Sequence, residues 1–121
     1  MKTILFIEDE TGLQKTVSQA LKKEHFNILT ALDGKNGLNL AKKHKPDLIL
    51  LDLILPKLDG FAVLEELKKN QSTKDIPVVV LTNLENPPDI EKAIELGATT
   101  YLVKANYTLP EIIEKIKEVI K

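Results

Sequence analysis

Five short apolar runs punctuate the sequence, and each is followed by a longer amphipathic stretch. The runs are Ile4-Leu5-Phe6-Ile7, residues 26–31, Leu48-Ile49-Leu50-Leu51, Val78-Val79-Val80-Leu81 and residues 100–103. Continuous apolar runs of four to six residues, rich in β-branched side chains, read as strands buried on both faces. The stretches between them carry a helical period. Leu13, Val17, Ala20 and Leu21 fall on one face of a helix over residues 11–24, and Leu109, Ile112, Ile113, Ile116 and Ile120 repeat the pattern near the end. Thr108 and Glu111 stand in capping-box spacing with Pro110 in the first turn. Asn86-Pro87 opens another helix that Gly97 closes. Residues 34–43 and 59–69 fill the two remaining helical slots.

This alternation predicts an α/β fold, (βα)5, with a parallel five-stranded sheet covered by helices on both faces. A length of 121 residues suits one domain over residues 1–121, with no output domain among them. The sequence holds 17 basic and 18 acidic residues, and every basic one is Lys. Nucleic-acid binders normally carry a basic excess and use Arg for bidentate contacts, so direct nucleic-acid binding is not expected. No Cys is present, which excludes disulfides, thiolate metal sites and cysteine nucleophiles. The apolar runs are too short for a membrane span, and the expectation is a cytoplasmic protein without membrane contact.

In open α/β sheets, ligands bind beyond the carboxyl ends of the strands, at the point where strand order reverses. The residues at those ends are therefore the candidates. Strand 1 runs into Glu8-Asp9-Glu10, strand 3 into Asp52, strand 4 into Thr82 and strand 5 into Lys104. Strand 2 ends in Ala31-Leu32, with nothing chemical at its tip. In the flavodoxin-like, doubly wound order 2-1-3-4-5, strand 2 is an edge, and the four equipped strands are contiguous. Asp9 and Asp52, with Glu8 nearby, repel one another unless a cation neutralises them, and an all-oxygen donor set suits Mg²⁺. A carboxylate beside such an ion can attack a phosphoryl group. Lys104 supplies a point charge for phosphoryl oxygens, and Thr82 a hydroxyl donor. Taken singly, the acids are ordinary helix caps or turn residues, Thr82 a loop hydroxyl and Lys104 a solvated charge. Their coincidence at one rim favours a site.

Taken in order, Ile7-Glu8-Asp9-Glu10, residues 50–56 with Asp59-Gly60, Leu81-Thr82 and Tyr101-Leu102-Val103-Lys104 resemble the receiver domains of bacterial two-component response regulators. The resemblance covers essentially the whole chain and is similar in extent to the single-domain chemotaxis regulators. It implies that Asp52 accepts a phosphoryl group from the phosphohistidine of a histidine kinase or histidine phosphotransfer protein. It implies that Asp9 binds Mg²⁺ directly, Glu8 through water, and that the backbone carbonyl of Ile54 is a further ligand. Thr82 and Lys104 match the family's switch hydroxyl and lysine. Tyr101 falls where the family has an aromatic coupled to phosphorylation, with a buried core tyrosine as the plain alternative. The implied output is a protein target on the face of helix 4, strand 5 and helix 5, to which Ile90, Ile94 and Tyr101 are candidates.

The sequence departs from the family pattern at two places. Ala105 follows Lys104 where a cis proline is usual, and a non-proline bond is expected to be trans. Asn83 follows Thr82 where a small residue is usual. Ile54 and Leu84 stand where the family tunes hydrolysis, and both are apolar, so slow self-dephosphorylation is expected. A dehalogenase-like phosphatase would need an acid where Ile54 stands. An FMN phosphate would be repelled by Glu8-Asp9-Glu10, and no G-x-G-x-x-G is present. The chain is thus expected to catalyse only its own aspartyl phosphorylation and dephosphorylation. The remaining alternative is a degenerate receiver acting as a phosphorylation-independent interaction module.

Overall fold

A computed structural model describes residues 1–120 of the chain. Five strands alternate with five helices: β1 (Thr3–Ile7), α1 (Thr11–Lys23), β2 (Asn27–Ala31), α2 (Gly34–His44), β3 (Leu48–Leu51), α3 (Gly60–Lys69), β4 (Val78–Thr82), α4 (Pro87–Glu95), β5 (Thr100–Val103) and α5 (Leu109–Ile120). All strand pairings are parallel, in the order β2-β1-β3-β4-β5. This is the flavodoxin-like α/β fold expected from the alternation.

The period-2 alternation of strand side chains explains the unbroken apolar runs. Ile4 and Phe6 of β1, Leu48 and Leu50 of β3, and Val79 and Leu81 of β4 pack with Val17, Leu21, Ile112 and Ile116 from α1 and α5. The intervening Leu5, Ile7, Ile49, Leu51, Val78 and Val80 pack with Ala41, Val63, Leu64, Leu67 and Ala93 from α2, α3 and α4. Both faces of the three central strands are covered, so no polar residue interrupts them until each run ends. The edge strand β2 differs from expectation: Ala31 is its one buried residue, and Asn27 and Thr30 are exposed. An edge strand meets helices along only part of its length, which leaves room for polar side chains.

The helix signals operate largely as the sequence suggests. Thr108 N–H donates to Glu111 Oε1 (2.8 Å) and Glu111 N–H to Thr108 Oγ1 (3.3 Å), completing the capping box of α5. Gly97 takes φ +109° after α4, where a side chain would be strained, and its N–H donates to Ile94 O. Asn86 stands at the N-cap of α4, but its side chain makes no capping hydrogen bond; Pro87 opens the helix instead. α4 is the least anchored helix. Ala93 is its one buried residue, and Lys92 lies 4.5 Å from the centroid of the Phe61 ring on α3. No helix among the described residues is long and apolar enough to cross a membrane.

The loops at the carboxyl ends of the strands are braced by close backbone approach. Asp33 caps α2 through Asn36 N–H (2.8 Å), and Gly34 N–H donates to Pro56 O (3.3 Å) in the loop after β3. A Cβ at Gly34 would overlap the Leu58 carbonyl oxygen. At Gly60 it would press on the Cα of Leu53 and the carbonyl of Asp52. Both glycines therefore let a helix start against the backbone that follows Asp52. Gly34→Ala forces this contact apart and is expected to lower stability by roughly 1–3 kcal/mol, the usual range for overpacking, measured as an earlier urea midpoint with an unchanged slope.

Candidate functional site

Parallel register sets the heights of the site residues. Ile7 pairs with Leu51, so Glu8 and Asp52 leave adjacent strands at the same level, joined by Asp52 N–H donating to Ile7 O (3.1 Å). Thr82 pairs with Val103, which puts Lys104 one step beyond β4. Strands lie about 4.8 Å apart, so Lys104 must reach across the tip of β4 to meet the acids. Its long side chain does so. Lys104 Nζ lies 3.0 Å from Asp52 Oδ2 and 2.8 Å from Glu8 Oε1.

These contacts differ in kind. The one to Asp52 is an aligned hydrogen bond. Glu8 Oε1 has the ammonium close by as an ion-pair partner, yet no donor points along a hydrogen-bonding direction, and the atom is buried. Glu8 Oε2 accepts from Glu10 N–H (3.1 Å). Glu8 is wholly buried, while Asp9 is exposed beside it. Burial, with the Asp52 charge adding to it, pushes the Glu8 carboxyl up to about 7 against the pull of Lys104 and the Glu10 amide. Burial disfavours the Lys104 ammonium too, but the two carboxylates outweigh it and raise its pKa. The pocket is short of positive charge: Glu8, Asp9 and Asp52 against one ammonium leave two negative charges when all are ionised.

Carboxylate oxygens of Glu8, Asp9 and Asp52 lie within 4.8 Å of one another. An all-oxygen set, a charge deficit and a buried carboxylate oxygen lacking an aligned donor fit a hard divalent cation. Asp52 is itself nearly buried, and its Oδ1 accepts from Ile54 N–H (3.2 Å), which curls the following loop back over the strand tip. The Ile54 side chain is 54% exposed and points away from the core.

Thr82 is fully buried, and its Oγ1 accepts weakly from Leu84 N–H (3.5 Å). The Leu84 carbonyl in turn accepts from Tyr101 OH (2.8 Å). Tyr101 is half-buried, between the two alternatives for it, and burial with the charges of Asp89 and Asp52 raises its phenol pKa. Asn83 is exposed. No cis peptide occurs among the described residues, so the Lys104–Ala105 bond is trans, and Lys104–Asn106 form a short 3-10 turn.

Two residues at the site escaped the sequence reading. Asp33 is buried beyond the tip of β2, 3.9 Å from Lys57 Nζ, so that tip is less bare than its last two residues suggest. Gln14, in the first turn of α1, donates from Nε2 to Glu8 O (3.0 Å) and Ala31 O (2.9 Å). No sequence signal marks it, since a lone Gln in an amphipathic helix reads as a solvated residue.

A raised carboxyl pKa has a defined sign. Folded metal-free protein holds a proton on Glu8 that the unfolded chain releases at lower pH. Stability is therefore greatest below about pH 4.5 as far as Glu8 is concerned, and is lost as pH rises through about 7. In EDTA, Glu8→Gln is expected to flatten this dependence and to melt several degrees above wild type at pH 8. A melting curve with unchanged pH dependence counts against the assignment.

The family model described as the response regulator receiver domain matches residues 4–117. The DNA-binding dual master transcriptional regulator RpaA of Synechocystis is 36% identical over 121 residues, covering 100% of this chain and 50% of that protein. The Mn²⁺-bound form of response regulator Rcp1 has TM-score 0.84 and 34% identity, over 98% of this chain and 91% of that one. The receiver domain of a sensor histidine kinase from Pseudomonas aeruginosa, with magnesium coordinated in its active site cleft, has TM-score 0.88 and 25% identity, over 98% and 97%. The chain spans about half the length of the curated relatives it matches. Sheet order, the residues at four contiguous strand tips and these matches agree: the chain belongs to the receiver domains of two-component response regulators.

Proposed function

We propose that Asp52 is a phosphoacceptor that takes its phosphoryl group from the phosphohistidine of a histidine kinase or histidine phosphotransfer protein, with Mg²⁺. The observation that carries this reading is the Lys104 ammonium held between Asp52 and Glu8 in a pocket still short of positive charge. An Asp52 carboxylate oxygen forms the new O–P bond as the N–P bond of the donor breaks. The imidazole leaves with the bonding electrons and takes a proton. Asp9 and Asp52 directly, Glu8 through water and the backbone carbonyl of Ile54 would hold Mg²⁺, which supplies the positive charge that the acids and phosphoryl oxygens require. Lys104 turns from its carboxylate partners to a phosphoryl oxygen, and Thr82 donates its hydroxyl to another.

The output follows from Thr82. Donation to the phosphoryl group moves its hydroxyl from the weak contact with Leu84 N–H, and the carbonyl of the same residue, in the next peptide group, is the anchor of Tyr101. The face of α4, β5 and α5, with Ile94 exposed and Ile90 half-buried, is thereby biased toward a protein target. The chain turns over nothing but its own acyl phosphate, works in the cytoplasm and meets proteins rather than nucleic acid. Ile54 and Leu84 offer no group to orient a hydrolytic water, which supports a long-lived phosphoryl group.

Incubation with acetyl phosphate or beryllofluoride and Mg²⁺ is expected to modify wild type, to leave Asp52→Ala unmodified, and to fail in EDTA. Equal behaviour of wild type and Asp52→Ala would instead support the phosphorylation-independent interaction module. Lys104→Ala is expected to slow phosphorylation by roughly 10²–10³-fold, the usual effect of removing one oxyanion partner. Label on phosphorylated wild type is expected to persist in Mg²⁺ buffer, and rapid loss would refute the slow-hydrolysis reading. NMR shifts over residues 86–110 that ignore phosphorylation would refute the output face.

A further inference from the structure

In a strand, successive side chains point to opposite faces. Glu8 and Asp9 are successive, yet both present carboxylates to the cluster with Asp52. The peptide between them must therefore leave the strand path, and it does: β1 ends at Ile7, and Asp9 lies in a bend. A carbonyl turned out of the ladder needs a new donor, since an unpaired buried carbonyl is costly. The side chain of Gln14 provides it. Its Nε2 donates to Glu8 O at 3.0 Å and to Ala31 O at 2.9 Å. Ala31 O also accepts from Glu8 N–H (3.0 Å), so both peptide groups of Glu8 are tied to the end of β2.

Gln14 is itself firmly seated. Its backbone N–H donates to Glu10 O (3.0 Å), the first hydrogen bond of α1, whose N-cap residue Glu10 makes no side-chain cap. The amide thus joins three pieces: the first turn of α1, the bend after β1 and the tip of β2. Removing it leaves the Glu8 carbonyl without its side-chain donor and the bend less constrained, which would loosen the spacing of the two carboxylates from Asp52.

We infer that Gln14 is a positioning residue for the divalent-cation pocket, fixing the Glu8–Asp9 peptide so that consecutive acids face one ion. The inference rests on the Mg²⁺ reading given above. It distinguishes Gln14 from a helix-start residue that merely adds stability, because its effect is on the ion.

The test is calorimetric titration of metal-free protein with Mg²⁺ at pH 8, with thermal melting in EDTA measured in parallel. Gln14→Leu keeps bulk and removes both donors, and Gln14→Glu is isosteric but sets a carboxylate against two carbonyls. Both are expected to weaken Mg²⁺ binding by about 10-fold or more, the usual effect of losing an outer-shell partner. Gln14→Arg restores N–H donors and is expected to return affinity to within a few-fold of wild type. Wild-type affinity in Gln14→Leu overturns the inference, even where that variant melts earlier. Equal weakening in Gln14→Arg overturns it as well. Should Gln14→Leu fail to fold, the contrast between Gln14→Glu and Gln14→Arg decides. The underlying Mg²⁺ reading is checked by Asp52→Asn: if wild type binds Mg²⁺ no better than Asp52→Asn, that reading falls and the inference with it. Loss in Asp52→Asn but not in the Gln14 variants defeats the Gln14 role alone.

Discussion

Three carboxylates crowd the tips of two adjacent strands, and the rest of the site is arranged around making that crowding tolerable. Glu8 is wholly buried, Asp52 nearly so, and the single ammonium of Lys104 touches both. Low polarity around such groups strengthens every interaction among them, favourable or not. The balance leaves Glu8 partly protonated near neutral pH and leaves the pocket receptive to positive charge. A binding site for a cation is, in this sense, a stability defect that the cation repairs.

The scaffold tolerates that defect because everything beneath it is dry and closely packed. The central strands are sealed on both faces, and α2 and α3 begin in direct contact with the backbone that follows Asp52. The acids therefore cannot relax apart by moving their strands. What freedom exists lies in side chains and in the peptides on either side of Leu84, since Gln14 holds the Glu8–Asp9 bend.

Much of this was legible in the sequence for a simple reason. A strand buried on both faces admits no polar residue, so the first polar residue after each run marks the sheet's rim, and parallel pairing sets those rims level. Glu8, Asp52, Thr82 and Lys104 could be read off that way. The edge strand β2 was harder, because half-exposure lets Asn27 and Thr30 break the pattern, and Asp33 lies two residues past its tip. Gln14 and Gly34 were beyond reach for another reason. Their roles depend on which carbonyl lies within an amide's length or how near a neighbouring loop passes, and no local period encodes that. Tyr101 was ambiguous because its ring joins the core while its hydroxyl serves a loop.

The loose seating of α4 bears on what it would cost to shift that helix. Converting a population from one part in a hundred to ninety-nine needs a preference of about 5.5 kcal/mol. A helix held by several buried leucines would absorb most of that. Here the one fully buried side chain is the methyl group of Ala93, beside the half-buried Ile90 and an exposed lysine resting on Phe61, the last a contact of roughly 0.5–1 kcal/mol. The five helices are thus unequally seated, and the one that follows Thr82 is held by the fewest buried residues.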